Sequence, residues 1–315
     1  MFRKKVIKQH EYIILVMTIK HIVICGGGPT GFLSYGALKR LHEKGFWKQE
    51  NIKTIYGSSI GGVMGALITL SDSWEALDDY LIKRPWGKAF DKISTDIMDF
   101  IENKGIDGKE FLRIVLEPLL KAIDMNIDAT LEDIYNKTQI KLVLTATNLN
   151  GKNNTLQGEL ISYESFPEMK LYEALAITSA YPMSFRPVFY KDACYLDGGG
   201  LHNYPVSFCL QEADDETEVL AINNYWSKDE QLITPETGFL EYIRAVTRKL
   251  HNIVDSSRKQ PKVTNEICCD ATRLSDINVW LDTFNNKETR ELLINEGCNA
   301  ADEWLEERNI SIIEE

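Results

Sequence analysis

Gly57-Ser58-Ser59-Ile60-Gly61 sets a hydroxyl between glycines, directly after the apolar run 52–56 and directly before the small apolar stretch 62–67. A strand that turns sharply into a helix holds its apex side chain strained and exposed, while flanking glycines let neighbouring backbone come close. Ser59 is the apex of such an elbow, a candidate nucleophile at the positive end of a helix.

Two further motifs supply what a serine nucleophile needs. Gly26-Gly27-Gly28-Pro29-Thr30-Gly31 follows the apolar run 21–25 and opens a helical pattern at Phe32. Unpaired N–H groups in such a loop stabilise a developing oxyanion, and the candidate donors are Gly26, Gly27, Gly28 and Ile60, the residue after the nucleophile. Pro29 has no N–H to offer. The same run also matches Gly-x-Gly-x-x-Gly, a dinucleotide fingerprint, which wants an acidic residue at the end of the second strand, about 20 residues further on. Here that strand ends in Gly57-Ser58-Ser59, and Glu50 precedes the strand rather than terminating it. The third motif is Asp197-Gly198-Gly199-Gly200, reached from the strand-like run 193–196. Alone it reads as an Asp-Gly turn. Beside a serine that needs a base, Asp197 becomes the candidate acceptor of its proton. Gly31, Gly57, Gly61, Gly198 and Gly199 support the three turns.

A Ser-His-Asp arrangement would need an imidazole, and the chain order Ser, Asp, His leaves His202 or His251. His202 shares a turn with Asp197, and His251 lies in a polar, mainly helical tail. His21 at the start of a strand and His42 on a helix read as structural.

Strand-like and helix-like segments alternate from His21 to Leu70, which predicts βαβ units and a parallel sheet. Residues 71–130 lack strand patterns and form a helical insert. That insert either caps the site, bringing Trp86 and Phe90 among basic residues, or simply packs. Strands resume at 140–145, 188–190, 194–196 and 219–223, and from Gly238 onward the pattern is mainly helical. The expected organisation is an N-terminal arm (1–19), a catalytic domain (20–225) and a helical extension (226–315) packed on the same domain. The arm imitates a signal peptide with Arg3-Lys4-Lys5 and the apolar run 12–17, but that run is short and no small-residue cleavage site follows. The arm is expected to add an edge strand or lie on the surface, and Met17 is an alternative start.

With 44% apolar and 26% charged residues the chain can bury a sizeable core. A formal charge of −12 argues against nucleic acid as a partner and weakens long-range attraction to anionic lipid. Cationic spots persist at Arg3 to Lys8, Lys83 to Lys88 and Arg244 to Lys262, most simply as solvated faces. Six cysteines show neither metal-ligand spacing nor a disulfide framework, which suits a reducing, cytoplasmic setting. No segment is long enough to be a transmembrane helix.

The three motifs, in this order, resemble those of the patatin-like phospholipase family. Lesser stretches agree: Gly105 to Leu112, Thr130 to Ile134, Leu144 to Gly151 and Ala174 to Pro182, so that the likeness runs from about His21 to Asn223. It implies a three-layer α/β/α fold around a mostly parallel sheet and a Ser59–Asp197 dyad in place of a triad. It also implies phospholipid or lysophospholipid substrates at a membrane or micelle surface, with no cofactor and no metal. One position departs from the pattern. The family's loop carries Arg or Lys where this chain has Thr30, which leaves oxyanion stabilisation to backbone donors and a helix end. A weakly catalytic lipid-binding protein of the same fold is the rival reading.

Overall fold

The computed structural model describes residues 18–93, 97–182, 184–227, 233–257 and 260–308. Most of the expected N-terminal arm, Met17 included, lies outside them. Within them one eight-stranded sheet organises the chain: β1 (His21–Ile24), β2 (Thr54–Gly57), β3 (Lys141–Asn148), β4 (Gln157–Ile161), β5 (Val188–Tyr190), β6 (Ala193–Asp197), β7 (Val219–Tyr225) and β8 (Asn265–Asp270). The order is β5-β6-β3-β2-β1-β7-β8, with β4 also paired to β3. Strands β3, β2, β1, β7 and β8 run parallel, and the β4, β5 and β6 pairings are antiparallel.

Parallel strands covered on both faces read as continuous apolar runs, and their side chains still alternate between faces. Ile22, Ile24, Ile55, Leu142, Leu144, Leu220 and Ile222 enter the larger core cluster. Their neighbours Val23, Cys25, Tyr56, Val143, Val219 and Ala221 enter the second. Helices cover both faces, which makes three layers. In chain order they are α1 (Thr30–Glu43), α2 (Ile60–Thr69), α3 (Trp74–Lys83), α4 (Trp86–Ile93), α5 (Ile97–Asn103), α6 (Gly108–Ala122), α7 (Leu131–Thr138), α8 (Leu171–Thr178), α9 (Gly199–His202), α10 (Val206–Glu212), α11 (Phe239–Ser257), α12 (Ile277–Asn285) and α13 (Lys287–Glu307). Leu33 and Leu38 of α1, Leu67 of α2, Leu175 of α8 and Leu293 of α13 fill the first face. Val206 and Cys209 of α10, with Tyr204, fill the other.

The insert 71–130 is helical in its described residues. Trp86 is buried there and donates to the Leu81 carbonyl, with the Arg84 guanidinium over its ring. Packing, rather than presentation to the site, is what this tryptophan does. At the other end of the chain, β8 adds a parallel edge strand and α13 lies along α1, tied by Arg40 to Asp302. The adjacent Cys268 and Cys269 fall on opposite faces of β8, one exposed and one buried, and all six cysteines are free thiols.

Strand β3 acts as a ruler for the site. Its Leu144 pairs with Gly57 of β2, and its Ala146 pairs with Asp197 of β6. Two residues of one strand thus fix the distance between two turns that lie 138 positions apart in sequence.

Candidate active site

Between β2 and α2 the chain reverses direction at Ser59, whose backbone sits at φ 51°, ψ −126°. A non-glycine residue held there costs about 1–3 kcal/mol, which the surroundings must over-determine. They do so by close approach. A Cβ on Gly61 would overlap the Ile24 and Cys25 carbonyls, and one on Gly57 would overlap the backbone of Gly62. The Ser59 N–H donates to Thr178 Oγ1 at 2.9 Å, and its hydroxyl donates to Asp197 Oδ2 at 2.6 Å. The neighbouring Ser58 Oγ is buried and without a hydrogen-bond partner.

Asp197 is only 3% exposed. Its second oxygen, Oδ1, accepts the Gly199 N–H at 2.7 Å, and its own N–H donates to the Ala180 carbonyl. Burial pushes the carboxyl up from its ordinary 3.8 to about 6, against the opposing pull of the Ser59 hydroxyl and the Gly199 N–H. A carboxylate so placed can take a hydroxyl proton near neutral pH.

The glycine loop connects β1 to α1 and stands against the serine, since a Cβ on Gly26 would lie 3.2 Å from that of Ser59. Gly27 and Gly28 take φ of 150° and 64°, the left-handed region that glycine tolerates. Among the described residues the N–H groups of Gly27, Gly28 and Ile60 have no protein acceptor. Gly26 is corrected as a donor: its N–H is taken by the Asn203 carbonyl at 3.0 Å. Gly31, in the first turn of α1, lies against Ile60 and Met64, and the Gly198 N–H donates to the Thr178 carbonyl. Thr30 is fully buried, with its hydroxyl close to Gly27 and without a hydrogen-bond partner. A guanidinium in its place would have to displace these neighbours.

Three residues without a role in the sequence reading join this site. Thr178 ties the two turns together, its hydroxyl to Ser59 and its carbonyl to Gly198. Asn203 latches the glycine loop to the aspartate turn, and Trp280 of α12 abuts Gly28. Their contacts are long-range, so no local pattern marks them. Three of the histidines stand elsewhere. His202 packs edge-on against Phe208 and beside Gly158 of β4, His21 pairs with Thr54, and His42 accepts from the Trp74 indole. For His251, only its position within α11 is described. Glu50, which a dinucleotide site would need at the end of β2, lies in the turn that precedes it.

Removal of the Thr178 hydroxyl takes the acceptor from the part-buried Ser59 N–H, a cost of about 1–3 kcal/mol. Thr178→Val is therefore expected to lower kcat roughly tenfold at nearly constant KM, while Thr178→Ser, which keeps the acceptor, stays near wild type. Steady-state kinetics on both variants check this, and equal losses would mean the hydroxyl does not position the serine.

Sheet, elbow and hydroxyl–carboxylate pair together have the form of a hydrolase site of the α/β class. The family profile of the patatin-like phospholipases matches residues 22–210, and the chain belongs to that family. It is 24% identical over 227 residues to an uncharacterized protein of Acanthamoeba polyphaga mimivirus, covering 71% of this chain and 73% of that one. It is 23% identical over 198 residues to a probable lipid hydrolase of Invertebrate iridescent virus 6, covering 61% of this chain and 63% of that protein. The crystal structure of VipD from Legionella pneumophila superposes with a TM-score of 0.50 at 17% identity, over 92% of this chain and 67% of the other. That likeness speaks for the fold.

Proposed function

We propose that this protein hydrolyses fatty-acyl esters of phospholipids or lysophospholipids, with Ser59 as nucleophile and Asp197 as its general base. The observation that carries the reading is the 2.6 Å bond from a backbone-strained Ser59 to a buried Asp197. As Ser59 Oγ attacks the ester carbonyl carbon, its proton passes to Asp197 Oδ2. The carbonyl oxygen becomes an oxyanion and receives the N–H groups of Gly27, Gly28 and Ile60. Each such donor is worth about 2.7–4 kcal/mol to the transition state. Collapse breaks the bond to the alcohol, which leaves with the proton from Asp197. Water repeats the cycle on the acyl-enzyme, releasing the fatty acid and free Ser59. No step calls for a metal or an organic cofactor. The six free thiols fit a reducing compartment, and the substrate class fits work at a membrane surface.

A fluorophosphonate probe followed by peptide mapping tests this reading, alongside hydrolysis of phosphatidylcholine and lysophosphatidylcholine. The expected result is a single label at Ser59, together with release of free fatty acid. A protein that neither labels nor releases fatty acid would be a lipid-binding member of the fold. A label on another serine would reject the nucleophile.

A further inference from the structure

Helix α11 carries an apolar stripe that the protein core does not absorb. Phe239, Tyr242, Val246, Leu250 and Ile253 are 68%, 46%, 38%, 57% and 65% exposed. At 3.6 residues per turn these five positions fall within an arc of about 80°, and the stripe runs about 21 Å along the helix. Scattered exposed apolar residues are ordinary, whereas a contiguous row marks a surface built to meet something. Ala245, on another side of the helix, is buried.

The charge of this stretch of sequence says what the stripe meets. Residues 239–262 hold Arg244, Arg248, Lys249, Arg258, Lys259 and Lys262 against only Glu241 and Asp255, in a chain whose net charge is −12. Lys249 is exposed and adjoins the stripe. A lysine beside a continuous apolar face, in a stretch of sequence with net positive charge, suits an interfacial helix on anionic lipid. Its location fits as well. Helix α11 packs on α9, which begins two residues after Asp197, and its Arg248 reaches Ser275 in the turn that leads to α12 and Trp280. Both neighbours belong to the walls of the candidate active site.

We propose that the exposed face of α11 docks this protein onto an anionic lipid bilayer, presenting the Ser59 site to lipid held in that surface. The inference rests on the lipid-hydrolase reading, but its test does not depend on catalysis. Co-sedimentation with unilamellar vesicles of phosphatidylcholine and phosphatidylserine is measured for the full chain and for Phe239→Ser/Leu250→Ser, beside turnover of soluble p-nitrophenyl butyrate. The double variant is expected to lose at least about tenfold in vesicle affinity, since each of these side chains leaves water on docking. Its Tm and soluble-ester turnover should stay unchanged, because both residues are exposed and lie outside the site. Lys249→Glu should weaken binding to phosphatidylserine vesicles more than to pure phosphatidylcholine. Equal vesicle binding by wild type and double variant overturns the proposal, as does a wild type that does not bind. A wild-type dimer that the double variant dissociates, with vesicle binding unaltered, overturns it in favour of a second copy of this chain. Failure of soluble-ester turnover with vesicle binding intact would count against the hydrolase reading and leave the docking surface standing.

Discussion

Ser59→Ala is expected to abolish ester hydrolysis, with a loss in kcat of at least about 10⁴-fold, and to leave the folded protein intact. The hydroxyl makes one bond, to Asp197, and the backbone strain at φ 51° belongs to the turn rather than to the side chain. Tm should therefore move by no more than a few degrees. Ser58→Ala is the matched control. Its hydroxyl is buried and makes no hydrogen bond, to Asp197 or to another group, so the alanine variant should keep near-wild-type turnover and stability. Rates on a soluble ester and on phospholipid, with thermal melts of the same preparations, decide the matter. Turnover retained by purified Ser59→Ala, or equal losses from the two variants, would reject Ser59 as the nucleophile.

The contrast between adjacent serines shows what a sequence can carry. Glycine-rich turns are local, and their spacing against apolar runs was enough to single out Ser59, Asp197 and the loop from Gly26. The parallel core was legible for the same reason, because β1, β2 and the first four residues of β7 are buried on both faces and read as largely apolar runs. Strand β8 was not legible. Its sequence, Asn-Glu-Ile-Cys-Cys-Asp, is half exposed at the sheet edge and carries too little apolar weight to stand out from the helices around it. Strand β4 fails for the same reason, beginning with two exposed residues. Within the site, long-range contacts escaped. Nothing near Gly26 says that its N–H is spent on Asn203, and nothing near Thr178 says that it will hold Ser59 from 119 positions away. Such roles come from register along β3 and from the packing of α8, which only the folded chain sets.

Asp197→Asn, set beside variants of the two candidate histidines, separates a dyad from a triad, and it should do so without unfolding the protein. An amide cannot take the Ser59 proton, so turnover should fall by orders of magnitude, comparably to Ser59→Ala. His202→Gln and His251→Gln, which remove the two imidazoles that chain order allows a triad, should retain most activity. Wild-type kcat should rise with pH through about 6, the value to which burial lifts Asp197, because only the carboxylate form accepts a proton. That ascending limb should survive in both histidine variants. Stability carries the opposite sign. Between pH 3.8 and about 6 the folded state binds more protons at Asp197 than the unfolded chain does, so this group's contribution to stability falls as pH rises across that window. Above it, keeping the buried carboxylate charged costs about 3 kcal/mol. Asparagine carries no such cost and can still accept the Gly199 N–H, so Asp197→Asn is expected to melt higher than wild type at pH 7.5 and to approach it at pH 4. An inactive variant of raised stability identifies a residue held charged in a buried site for its chemistry. If Asp197→Asn keeps substantial turnover, or if one histidine variant loses as much as Ser59→Ala, the proton goes elsewhere and the dyad is wrong.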